Sequence, residues 1–474
     1  MAENLIYNIS DKPPMGKRLI FAMQQFLAIL AATIAVPTII GLPTQIPAAI
    51  FGAGVGTLVY QLFTKFQSPV FLGSSFAFLG PLATALTFGY CGIVIGSIVA
   101  GLVYVALAIV VHFVGTAWVA KLMPPVIIGP TVTLIGLSLA GNAMGNIVTA
   151  DSAKLYSTNN LVALACGLVA FFVIIICSVQ KKYTMPKLIP FVIGIIVGYV
   201  IASIFTIIGI LADVDYLRII NWDPIVNNFV DAQGNFVGFS AFFTVPKFAG
   251  IEAIKELATG ELSTEIISAT EGTASVITAS GVAEVIFSFL PVALVVFAEH
   301  IADHKNLSSI IDKDLIESPG LKRTLLGDGV GSITGTFFGV CPNTTYGESV
   351  GCVAVTKNAS VVTITTTAFM CIVLSFFSPL TTTLQTIPSC VMGGVCLTLY
   401  GFIAVSGLKM LKNVDLNSNR NLFVIAAILI SGVGGLKIVI TDNIQITSIA
   451  TALLLGIVTN AILSRIEKRH NKDN

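Results

Sequence analysis

Two short stretches place carboxylic acids within otherwise apolar sequence: VALVVFAEHIADH at 292–304 and VCPNTTYGESVG at 340–351. An ionised side chain exposed at a bilayer centre costs roughly 2.5 to 3.5 kcal/mol or more, so such residues face a cavity and mark a pathway. Glu299 and Glu348 are therefore the leading candidates for a buried site. Desolvation favours the neutral form of a carboxyl, which can then take a proton from one side and release it to the other. A protonated carboxyl donates one hydrogen bond, whereas an ionised one only accepts, so proton load and ligand binding can be coupled. The alternative for both is an interfacial position, most of all for Glu299, since His300, Asp303, His304 and Lys305 follow at once. Asp328, in LLGDGVG, reads as a local hydrogen-bonding residue, His112 as a span end and His470 as part of a solvated tail.

The elements that must carry these residues follow from composition. Of 474 residues 10% are charged and 55% hydrophobic, where a soluble domain carries about 25% charge. A spanning helix needs about 20 mostly apolar residues, and the apolar runs here have that length rather than the roughly 10-residue alternation of an outer-membrane barrel. Continuous runs cover 18–41, 46–66, 92–115, 161–179, 188–211, 282–300, 361–377, 387–410, 422–440 and 446–464. Four more, at 70–89, 123–145, 321–339 and 341–356, are interrupted by Pro, Gly, Ser or Thr. Fourteen crossings result, an all-α polytopic membrane protein whose termini share one side. With both termini in the cytoplasm, the positive-inside rule leaves only Lys154, Arg218, Lys247, Lys255 and Lys437 of the 25 basic residues outside. The polar first 17 residues and the long first apolar run argue against a cleavable signal.

The organisation expected is a cytoplasmic tail at 1–17, seven spans over 18–211, an acidic outer loop at 212–281, seven spans over 282–464 and a cytoplasmic tail at 465–474. The Gly-, Ser- and Thr-rich part of the loop, 260–280, reads as a surface insertion. Seven spans plus seven turn the second half upside down, the plan of inverted-repeat transporters. Two echoes at similar offsets support it: PPVIIG from Pro124 with PSCVMGG from Pro388, and GSSFAF from Gly73 with NTTYGE from Asn343. Gln24 and Gln25 would correspond by the repeat to the region of Glu299 and His300 and line the same cavity. Gly and β-branched residues make the second pair poor starts for continuous helices, and paired interrupted segments point to a transporter site. Kinked helices packed through small residues are the plainer alternative. The eight cysteines include no Cys-x-x-Cys pair and read as small packing residues. No nucleophile or metal constellation suggests an enzyme, a cofactor or a metal, and a net charge of +1 gives no reason to expect a nucleic-acid partner.

QQFLAILAATIAVP, GSSFAFLGP, ALVVFAEHIADH, PGLKRTLLGDG, PNTTYGESVGCVAVTK and PSCVMGGVCLTLYG occur in the order of blocks that the chain shares with the nucleobase/ascorbate transporters. The chain resembles that family over nearly its whole length, and PNTTYGE resembles its uracil branch rather than the purine branch, where a Gln-Asn motif is usual. The resemblance implies a core domain and a gate domain, with short antiparallel strands in the third and tenth spans. It implies proton-coupled uracil uptake across the cytoplasmic membrane by alternating access, in a homodimer joined through the gate domains. A transporter of xanthine, urate or another nucleobase on the same fold is the close alternative. Carried over by residue, Glu299 and Glu348 would hydrogen-bond the ring, backbone groups of Phe76 and Gly347 would complete its edge, and Ala32 and Tyr346 would line the pocket. One departure concerns the proton. Four residues after the first glutamate, where a uracil permease carries histidine, this chain has Asp303, with His304 beside it. Glu299, assisted by Asp303 or His304, is thus expected to carry the proton, and helical spacing favours Asp303. The stretch 250–280 is also longer than usual for the family.

Overall fold

The computed structural model describes residues 5–150, 160–180, 186–187, 189–231, 233–441 and 444–473. Lys154, Lys181, Lys182 and the expected span start at Leu188 lie outside them. The main helices are α1 (Met15–Ile39), α2 (Ile46–Phe63), α3 (Leu79–Leu86), α4 (Gly89–Val114), α5 (Pro125–Ser138), α6 (Ala140–Ile147), α7 (Leu161–Val179) and α8 (Pro190–Leu211). After the long connection come α9 (Ala249–Thr259), α10 (Ala279–Ile311), α11 (Leu321–Phe338), α12 (Gly347–Thr356), α13 (Val361–Leu374), α14 (Ser389–Met410), α15 (Asn419–Val433) and α16 (Ser448–Asp473). Strands β1 (Leu72–Ser74) and β2 (Asn343–Thr345) pair with each other, as do β3 (Ile438–Thr441) and β4 (Ile444–Ile446). Among the described residues nine helices are long and apolar enough to cross a membrane.

Local chemistry sets many of the boundaries. Pro125 and Pro190 open α5 and α8, where a missing N–H costs nothing. Asn160 caps α7 by accepting from the N–H groups of Val162 and Ala163, and Thr278 caps α10 by accepting from Gly281. The helix α10 runs well past the expected end at His300, to Ile311, so Asp303 and His304 sit within it.

The helices sort into two packed groups. In the first, α11 lies between α2 and α4, α10 packs on α4, and α13 joins α1 to α2. In the second, α14 packs on α5, α6 and α7, α8 on α7, and α15 on α16 and α5. Glycines let the first group close up. A Cβ at Gly52 would stand 2.2 Å from the Gly335 carbonyl oxygen, and one at Gly101 would stand 2.6 Å from that of Gly329. Close backbone approach through small residues is how helices gain packing energy in lipid. It also explains how so polar a sequence as α11 is held inside. Gly52→Ala should force α2 off α11 and cost about 1 to 3 kcal/mol, read as a lower melting midpoint in detergent.

Two connections are tied down more firmly than the sequence suggests. Residues 5–11 form no free tail: Ile6 N–H donates to the Lys357 carbonyl, Ala359 N–H to Tyr7 and Val361 N–H to Ile9. Leu5 and Ile9 pack against the cluster around Tyr60, Leu307 and Val353. The 212–281 connection is likewise no detached insertion. In α9 the buried Glu256 accepts from the Cys91 N–H at the start of α4, and its carboxyl is raised by burial, against the pull of the backbone N–H groups. Further on, Ile266 is fully buried, and Glu265 accepts from Tyr90 at 3.1 Å and Gln45 at 3.3 Å. At the other end α16 continues helical through 465–473, the stretch expected as a tail.

Candidate functional site

The two interrupted segments meet inside the first helix group. β1 and β2 run antiparallel in the register Leu72↔Thr345, Gly73↔Thr344 and Ser74↔Asn343. Ser75 N–H donates to the Pro342 carbonyl and Tyr346 N–H to that of Phe71, extending the pairing at both ends. From this crossing two half-helices leave. The turn Phe76–Phe78 leads into α3, and Gly347 opens α12. Helix starts carry N–H groups without intrahelical partners, so the crossing brings backbone donors together deep in the protein.

Gly73 has no room for a side chain, because a Cβ there would lie 2.3 Å from Cζ of Tyr346. The Tyr346 hydroxyl donates to the Ser74 carbonyl at 3.2 Å and lies 3.4 Å from Thr33 Oγ1 on α1. Its neighbour Ala32 is fully buried. The Phe76 ring meets the ring of Tyr400, on α14, edge-on with centroids 5.3 Å apart. The crossing therefore touches both helix groups.

Glu299 in α10 and Glu348 in the first turn of α12 are partly buried, and Gly347 between the strand and Glu348 is exposed. Glu299 Oε2 is buried with no hydrogen-bond partner. Asp303 lies four residues on from Glu299 in α10, and α10 packs against α12, which carries Glu348. Asp303, one turn along the same face, accepts from Thr345 Oγ1 at 2.6 Å, and its Oδ1 lies 3.8 Å from where a Gly347 Cβ would sit. The structure thus brings Glu299 and Asp303 on α10 against Gly347 and Glu348 on α12, at the strand crossing that Phe76 and Tyr346 adjoin, while Ala32 lies on α1 next to Thr33.

His304 points elsewhere. Its Nδ1–H donates to the His300 carbonyl at 2.7 Å, while Nε2 pairs with the Tyr60 hydroxyl at 2.7 Å, which pairs in turn with Ser68 at 2.8 Å. Asp328 is not the local residue expected: it bonds His300 Nδ1 at 2.6 Å across to α10, and His300 Nε2 lies 3.1 Å from Thr324 Oγ1. Apolar burial of a carboxylate without a partner would be costly, and that cost was the available signal for a distant partner. Gln25 donates to Ser349 at 2.5 Å, which ties α1 to α12 rather than to α10. Thr345 and Ser349 carried no sequence signal of their own beyond membership in the motif. All eight cysteines are free, and seven are buried. Among the described residues no cluster of His, Cys, Asp or Glu could hold a metal ion.

The Xan_ur_permease family, a permease family, matches residues 16–441. Uracil permease from Bacillus caldolyticus is 35% identical over 461 residues, covering 97% of this chain and 94% of that protein. Uracil permease from Bacillus subtilis strain 168 is 33% identical, covering 97% and 95%, and that from Escherichia coli K12 is 31% identical, covering 97% and 94%. The fold is shared with solved transporters at much lower identity. The murine Solute Carrier 26 family member A9 anion transporter in its inward-facing state gives a TM-score of 0.61 at 12% identity, over 97% of this chain and 69% of that one. The transmembrane domain of the cyanobacterial bicarbonate transporter BicA gives 0.52 at 14%, over 96% of this chain and all of the other. Full-length identity of this order, together with the strand crossing and its carboxylates, leaves one conclusion: the chain is a multi-pass membrane protein of the permease family to which the bacterial uracil permeases belong.

Proposed function

We propose that the protein takes up uracil across the cytoplasmic membrane by alternating access, driven by protons. The observation that carries this reading is the buried, unpaired Glu299 Oε2 on α10, the helix that packs against α12 with its exposed Gly347. An unsatisfied buried acceptor costs about 1 to 3 kcal/mol, and a ring N–H would remove that cost. In our reading Glu299 and Glu348 accept from the ring N–H groups, and the backbone at Phe76 and Gly347 donates to the carbonyl edge. Ala32 and Tyr346 close the pocket around the ring. Among the described residues no lysine or arginine is bonded to Glu299, Asp303 or Glu348, which suits a neutral ligand and disfavours an anion, whatever the fold relatives carry.

The wider arrangement belongs to the same proposal. The segments form fourteen crossings in two inverted repeats, 18–211 and 282–464, with the two interrupted segments as third and tenth. The first helix group serves as the core domain and the second as the gate, and the molecule dimerises through the gate. Both termini are cytoplasmic, and the 212–281 connection is outside. Glu299 carries the coupled proton together with Asp303, which shares its helical face. Competition tests the substrate: excess unlabelled uracil should suppress uptake of labelled uracil far better than xanthine does. Equal or better suppression by xanthine would assign the site to a purine.

A further inference from the structure

A second place in the molecule has the chemistry of a binding site. Between the two helix groups, at the end that carries the 212–281 connection, lies a cleft of about 420 Å³. Thr84, Glu284 and Ser288 line it from the first group, and Asn142, Lys437 and Gln445 line it from the second. Its lining includes Ala77, the residue next to Phe76. Lys437 immediately precedes β3 and Gln445 lies in β4, the strand that reaches across to pack on α10. The side chains of Asn142, Glu284, Lys437 and Gln445 make no hydrogen bond or ion pair with other described residues. Asn142, Lys437 and Gln445 are exposed and Glu284 is half-buried, so four polar groups open to water line one space between the two helix groups.

Their types select a ligand class. One carboxylate and one ammonium leave the cleft without net charge, which gives neither an anion nor a cation an advantage. A carboxylate only accepts, an ammonium only donates, and the two carboxamides do both. That set matches a neutral planar ring with neighbouring N–H and C=O groups. We propose that the cleft is an outer subsite where such a heterocycle docks before it passes to the strand crossing. Glu284 accepts from a ring N–H, while Asn142, Gln445 and Lys437 donate to ring carbonyls. The choice of ring rests on the nucleobase reading of the central site.

Calorimetric titration of the full-length protein in detergent with uracil tests this. The wild type should give two phases, one tight and one weak. Asn142→Ala with Gln445→Ala should weaken the second phase at least about fivefold through lost hydrogen bonds, and Glu284→Gln should do the same separately. A single phase in the wild type, or a weak phase that survives both sets of changes, overturns the outer subsite. Glu348→Gln probes the other site: loss of the tight phase alone is expected. A tight phase that persists contradicts the central reading, while the outer subsite still stands or falls with the weak phase.

Discussion

Glu348→Gln lowers uracil binding at least about tenfold, the equivalent of 1.4 kcal/mol. The change keeps the size of the side chain and replaces one acceptor oxygen with a donor. A mispaired group in a buried site costs about 1 to 3 kcal/mol. The helix itself should survive the change. Glu348 stands in the first turn of α12 with part of its surface free, and α12 is anchored by the buried Val350, Cys352 and Val353 beyond it. Calorimetry on the purified variant reads the effect, and near-normal affinity would remove Glu348 from the site.

The second large effect concerns the proton. Glu299→Gln should abolish uptake driven by a pH gradient while leaving some binding that does not depend on pH. Asp303→Asn should shift the pH profile of transport, because two nearby carboxyls titrate as a pair and the amide cannot share a proton. His304→Ala should act differently. It leaves the Tyr60 hydroxyl without its histidine partner and opens a void among fully buried residues, so it should lower stability yet keep transport dependent on the gradient. Uncoupling by His304→Ala in protein that remains folded would place the coupled proton on the histidine instead.

Particular residues show how far the sequence can be read. Gly73 and the run Asn343 to Thr345 signal broken helices through their poor helix propensity, and the structure turns both into the paired strands that hold the crossing. Spacing alone separates Asp303 from His304: the first shares a face with Glu299, and the second turns towards Tyr60. For Asp328 the cost of burying a carboxylate signals that a partner is needed, but not that the partner is His300, which sits on a different helix with no local pattern linking the two. The docking of residues 5–11 rests on backbone hydrogen bonds, which leave no mark on side-chain composition. Glu256 looks like any acid in a polar loop, and only the fold shows it at the start of α4. Hydropathy also understates α11, whose glycines are spent on close contact with α2 and α4.

The central claim is transport of uracil driven by protons, and uptake of labelled uracil into proteoliposomes tests it most directly. With the exterior more acidic than the lumen, uracil should accumulate inside beyond its outside concentration, saturate with dose and fall back when a protonophore collapses the gradient. Uptake that only equilibrates, indifferent to the gradient, would contradict coupling, and flux that never saturates would contradict a carrier altogether.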